Sequence, residues 1–429
     1  MKFKKIPWVA LLAVFALVVA ACGGGDDAAE DTTTTEAEVA TTTAAPEPET
    51  TTTTEAAPAI ELLVWADENR AGAIEEVAPA FTEQTGVIVN VELVDFGQIR
   101  DQVGVAGPAG EGPDVFIGAS DWVGELATNG VLEPVDPGAW SGPFTEASLN
   151  ALTFDGTLYG VPYAVEAVAL YYNTGLVSEA PATFDDLIAA CEADEVEACL
   201  GVPGAGDGPD AYHNYPFISA TGGYIFGQAD GSYDPSDVGL DSEGAIAGAE
   251  FLSELSSSGV LGATNYDEAK NLFLAGEQPF WITGPWELGG AGEWEVGWSV
   301  AKIPTIDGGT PQPFIGVQAF FLSSFSENKL VAQSFLFDFI ASQEGQNALF
   351  AADGRPPVHN AIIGQVAGNA AIAAFGASAA DGVPIPNIPE MGSVWGALGD
   401  NLQLLRNGEV DATSAMQTAA ESVRAAIEG

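Results

Sequence analysis

The chain has 429 residues, with 61 Asp and Glu against 11 Lys and Arg, for a formal net charge of −50 at pH 7. A surface this acidic repels nucleic acid and anionic membrane faces, which excludes DNA or RNA binding as its work. Hydrophobic residues make up 47%, enough for a sizeable core, and the length suggests two domains rather than one.

The N-terminus reads MKFKK, then IPWVALLAVFALVVAA, then Cys22. A basic stretch, an apolar run and small residues form an export signal over residues 1–21, removed on maturation. The apolar run is short and one-sided for a spanning helix; an uncleaved membrane anchor is the alternative. Val19-Ala20-Ala21-Cys22 resembles the lipobox of bacterial lipoproteins. That resemblance implies a lipidated Cys22 as first mature residue, a membrane lipid anchor and a location on the outer face of the cell membrane. Losing Lys2, Lys4 and Lys5 but no acid would move the charge from −50 to −53. Residues 22–58 are rich in Thr, Glu, Ala and Pro, with runs such as Thr50–Thr54, and read as a disordered tether.

The body opens with ELLVWA, a strand, and AGAIEEVAPAFTEQTG, where Ile74, Val77, Ala78 and Phe81 recur at helical spacing and Gly86 stops the helix. VIVNVELV reads as a second strand, DFGQIRDQV as a helix, PDVFIG as a third strand and SDWVGELATNG as a helix from Ser120 to Gly130. Alternation with short Gly/Asp/Pro junctions argues for parallel βαβ units. YDEAKNLFLAG and PFWITG repeat the theme, and the segment from about 327 to 350 reads as the longest helix. Cys191 and Cys199, an even pair in an exported chain, read as a local disulfide, against the alternative of two buried thiols.

Motifs for covalent chemistry are missing. No lysine follows the Gly-rich stretches, the two histidines His213 and His359 lack metal-spaced partners, and no G-x-S-x-G occurs. DGSYDPSDVGLD lacks the order of a calcium loop and reads as a turn. A carboxylate pair flanking a glycosidic bond is the enzymatic alternative, but with 61 acids chance proximity supplies such pairs. Nine tryptophans remain, several at element ends where ligand sites of α/β sheets form. Aromatic faces match the C–H face of a sugar, and charged groups match its hydroxyls.

The stretches LVWADENR, GEGPDVFIGASDWVGELATNGVLEPVD, GVPYAVEAVALYYN, ITGPWEL and IPNIPEMGSVW, in this order, resemble the solute-binding proteins of carbohydrate ABC importers, maltose/maltodextrin-binding proteins above all. The resemblance implies an α/β, two-lobed type II periplasmic-binding-protein-like fold with three interlobe crossings and a central ligand cleft. It places residues 59–166 and 315–366 in the N-terminal lobe, and 167–314 and 367–429 in the C-terminal lobe. Crossings fall near 164–168, 312–318 and 363–370. It further implies sugar contacts from Asp67, Asn69, Arg70, Asp121, Glu166, Asp210 and Tyr212, and stacking by Trp286 and Trp395. Gly118, Gly396 and Gly399 stand where relatives carry cleft side chains, and Trp122 is expected to restore the ring lost at Gly118. A monomeric receptor is expected, without cofactor or metal, that delivers maltose or maltodextrin to permease subunits. Trehalose, a β-linked glucan, or less readily glycoside hydrolysis are the alternatives.

Overall fold

The strand Glu61–Ala66 pairs in parallel with Ile88–Leu93 on one side and Val115–Ala119 on the other. The computed structural model describes residues 60–429 except 195, 197, 205–207, 230 and 231, so the leader, Cys22 and the 22–58 segment lie outside the described residues. Asp67 caps the helix Glu68–Thr85 by accepting from the Arg70 backbone N–H, and Gly86 closes it with φ 74°, a left-handed angle glycine adopts freely. Ile74 and Phe81 are fully buried beneath it. Burying one such side chain contributes about 1.5–3 kcal/mol. Phe81 also meets Phe335 and Phe339 edge-on at 5.2 and 4.9 Å.

The sheet is mixed rather than wholly parallel. Phe314–Leu322 runs antiparallel to Val115–Ala119 and to Gly160–Glu166, and parallel to Val383–Pro384, completing six strands. A second sheet orders Leu261–Ala263, Leu200–Gly201, Phe280–Thr283, Ala169–Asn173 and Trp298–Ala301. Each sheet has its own core. One draws on Leu62 to Ala164 and on Val317 to Val358; the other on Val168 to Phe314 and on Ile385 to Val423. A smaller cluster around Tyr171, Phe273, Trp281 and Phe375 backs the second sheet. The molecule is therefore two lobes. The chain passes between them after Glu166, along the strand Phe314–Leu322, and between the helices Asn360–Val366 and Ala370–Asp381.

Three local expectations are corrected. The segment from 327 is not one long helix. It is a short α-helix Lys329–Ser334, a π-helical stretch Phe335–Ile340 and a separate helix Gln343–Asp353 capped by Ser342. The elbow is tight, since a Cβ on Gly345 would stand 2.1 Å from the Phe339 carbonyl oxygen. Ser120–Gly130 begins as a 3-10 turn, Ser120–Trp122, before the helix Val123–Thr128. The Asp-rich run holds the strand Ser232–Val238, paired with Phe226–Ala229. Cys191 and Cys199 are joined as a disulfide, their Cα atoms 5.5 Å apart. Among the described residues, no helix is long and apolar enough to cross a membrane.

Candidate functional site

Strand ends of the two lobes converge on a cleft of about 440 Å³, within the range of small-ligand sites. Asp67, Asn69, Arg70, Asp121, Trp122, Glu166, Tyr212, Trp286 and Trp395 all line it. Phe96, Arg100, Gln318, Arg355 and Ile385 line it as well, and sequence reasoning had not singled them out.

The first lobe supplies a charged floor. Asp67 and Arg70 are paired, and Arg70 donates through Nη2 to Gln318 Oε1 at 2.8 Å and through Nε to the Tyr163 hydroxyl at 2.5 Å. Gln318 Nε2 donates to Glu166 Oε1 at 2.7 Å, and Arg355 Nη1 donates to Tyr163 at 2.9 Å. The segments around 67–70, 163–166 and 318 thus close a ring of bonds, and 353–355 is tied to it through Tyr163. Burial alone would lower the Arg355 pKa; Tyr163, Asp353 and Glu166 outweigh it and raise it. Asp121 sits at the first turn after Val115–Ala119. Burial raises its pKa to about 6, against lowering contributions from its backbone N–H, Arg100 and a bond from Trp395.

The second lobe supplies an aromatic wall. Tyr212, on the helix Ala211–Ala220, lies 6.1 Å from Trp286 and 6.5 Å from Trp395, ring centre to ring centre. Trp286 is half-buried in the 3-10 turn Pro285–Glu287, directly after the strand Phe280–Thr283, and its indole N–H donates to Tyr266 at 2.5 Å. Trp281, inside the strand, is fully buried. Burial, with the nearby Glu166 and Asp121 charges, holds the Tyr212 phenol protonated far above its ordinary range.

Two glycines make room for cleft tryptophans. A Cβ on Gly284 would stand 2.0 Å from the Trp286 ring, and one on Gly118 would stand 2.5 Å from the Trp122 ring. Trp122, tilted against Phe96 at 4.9 Å, therefore lies over the position where the side chain is missing. Gly396 faces open space, whereas a Cβ on Gly399 would press within 3.0 Å of Pro209.

Asp210 is not brought into the lining. Its carboxylate caps Ala211–Ala220, accepting from the His213 backbone at 2.9 Å and meeting His213 Nδ1 at 2.6 Å. Burial would raise its pKa, but His213 and Arg406 outweigh it and lower it. In this geometry Asp210 orients the helix that carries Tyr212. Trp65 is likewise outside the cleft, buried and bonded to Glu92 at 2.9 Å.

Of the missed residues, Arg100 and Arg355 had one readable signal, the scarcity of cations. Eleven Lys and Arg occur; three fall in the leader, and of the remaining eight, Arg70, Arg100 and Arg355 line this cleft.

Two lobes flanking a lined cleft define a receptor for a small solute. The chain belongs to the bacterial extracellular solute-binding proteins, whose family profile matches residues 76–374. Among its relatives, the galactooligosaccharide-binding protein of Bacillus subtilis (strain 168) is 30% identical over 379 residues, 86% of this chain and 89% of the relative. The maltooligosaccharide ABC transporter solute-binding lipoprotein of Streptococcus pneumoniae (strain ATCC BAA-255 / R6) is 30% identical over 385 residues, with the same coverage of 86% and 89%. The maltotriose-binding protein of Pyrococcus abyssi (strain GE5 / Orsay) is 31% identical over 330 residues, 74% of this chain and 71% of the relative. These relatives are binding proteins, not enzymes.

Proposed function

We propose that this protein captures a neutral oligosaccharide outside the cytoplasm and hands it to an ABC permease, tethered to the membrane through a lipid on Cys22 and the segment 22–58. The observation that carries the reading is the two-sided cleft. Tyr212, Trp286 and Trp395 form its aromatic side, while Asp67, Arg70, Glu166 and Arg355 form its charged side. A pyranose offers a C–H face to the first and a rim of hydroxyls to the second. The lobes are assigned to 59–166 plus 315–366 and to 167–314 plus 367–429. A ligand touching both favours the closed arrangement in proportion to its contacts with each.

Maltose or a maltodextrin is the preferred ligand, from the aromatic positions and the maltooligosaccharide- and maltotriose-binding relatives. A galactooligosaccharide is the second reading, favoured by the Bacillus subtilis relative and by the altered positions Gly118 and Gly396. A thermal-shift panel of maltose, maltotriose, maltotetraose, β-linked galactooligosaccharides, trehalose and cellobiose tests it, because ligand binding stabilises the native state by mass action. The reading predicts stabilisation by one linkage class with the sugar recovered intact. Hydrolysed sugar would return the glycosidase alternative.

A further inference from the structure

Arg355 is the least expected residue of the cleft. It is 4% exposed, yet its Nε sits 3.6 Å from both Glu166 Oε2 and Asp353 Oδ2. That distance pairs the charges but is too long for a hydrogen bond. Glu166 is 9% exposed; its Oε1 is taken by Gln318, while Oε2 has no hydrogen-bond partner among the described residues. Among the described residues, the buried Tyr212 hydroxyl, from the opposite wall, has none either, nor does Arg355 Nε. Three buried polar atoms, one donor, one acceptor and one that can do both, are thus unmatched around the same cleft. Buried polar groups in folded proteins are nearly always bonded, and unmatched ones call for an explanation.

We infer that Arg355, Glu166 and Tyr212 together read one neutral hydroxyl of the bound solute, making Arg355 a specificity-determining residue. A hydroxyl oxygen accepts from Arg355 Nε–H, its own O–H donates a hydrogen bond to Glu166 Oε2, and the Tyr212 hydroxyl approaches from the aromatic wall. Charge selects this class of group. At this position a carboxylate or phosphate would meet the Glu166 carboxylate and an ammonium would meet the Arg355 guanidinium, so a charged group in place of the hydroxyl fits poorly. Arg355 and Glu166 belong to the first lobe and Tyr212 to the second, so the same hydroxyl bridges the lobes and favours closure. The inference rests on the oligosaccharide reading of the cleft.

The test is calorimetric titration of the full-length mature protein and its Arg355→Lys variant with the best-binding sugar of the panel and its monodeoxy analogues. On the parent, one deoxy position should weaken binding about ten- to a hundredfold, as for a hydrogen bond to charged groups. On Arg355→Lys the complete sugar should bind more weakly, and that same deoxy position should cost at most a few-fold more, because the contact is already lost. Penalties at other positions should be the same in both proteins. If Arg355→Lys fails to fold, Glu166→Gln, close to isosteric, carries the same comparison. Parental binding with every deoxy penalty unchanged in the variant would overturn this inference alone. A parent that binds no sugar would overturn the cleft reading as well.

Discussion

The indole N–H of Trp395 donates to Asp121 Oδ2 at 3.2 Å, a single bond joining the helix Met391–Arg406 of one lobe to the turn Ser120–Trp122 of the other. The acceptor is a carboxyl whose pKa burial has raised to about 6. A carboxyl with a folded pKa above its unfolded value of 3.8 gives stability that is fully present below pH 3.8 and lost as pH rises through 6.

Asp121→Asn should therefore gain stability relative to the parent as pH rises from 4 to 7, by on the order of 1–3 kcal/mol at the upper end. Asparagine still offers an oxygen to Trp395, so the lobe-to-lobe bond survives in the variant. Urea unfolding of both proteins at several pH values measures the difference. A constant gap across that range would show that Asp121 titrates normally.

Trp281 and Trp286 lie five positions apart and should behave differently. Trp281→Ala removes a fully buried ring and should cost about 3–5 kcal/mol of stability. Trp286→Ala removes a half-buried ring bonded to Tyr266; it should cost less stability than Trp281→Ala and remove most of the sugar-induced rise in Tm. If Trp286→Ala is the more destabilised of the two and binds sugar as the parent does, Trp286 is packing and not a platform.

The Cys191–Cys199 link closes a loop with a sequence separation of 8. Loop closure of this length stabilises by roughly 2–3 kcal/mol on the chain-entropy treatment. Cys191→Ser with Cys199→Ser should lower stability by about that amount, and thiol titration of the denatured mature protein should find neither cysteine free. Two reactive thiols would contradict the link.

Cys22→Ser should release the protein from the membrane fraction while leaving sugar affinity unchanged, because stable anchoring takes two or more acyl chains and the variant carries none. Retention in the membrane fraction would support an uncleaved N-terminal anchor instead.

The strands and helices that position the cleft were legible because their signals are local. Asp67 and Gly86 cap one helix, Gly284-Pro285 ends a strand ahead of Trp286, and apolar spacing marks the rest. The break in the 327–353 segment was hidden because the apolar pattern runs on through the π-helical stretch Phe335–Ile340 while Ser342 starts a new helix. Arg355 and Gln318 were hidden for a different reason. Their roles come from bonds to Tyr163, Arg70 and Glu166, partners far away in sequence that no spacing rule connects. Arg70 is held in the same network. It lies 2% exposed among Asp67, Tyr163 and Gln318, so Arg70→Ala should weaken the fold along with binding, not binding alone.

Whether the aromatic wall holds a sugar is decided by calorimetric titration of the mature protein with maltotetraose and with a β-linked galactotetraose, repeated on Trp286→Ala/Trp395→Ala. One saturable binding event is expected with at least one of the two sugars, and its loss in the double variant. No heat with either sugar, or an isotherm unchanged by removing both rings, would contradict it.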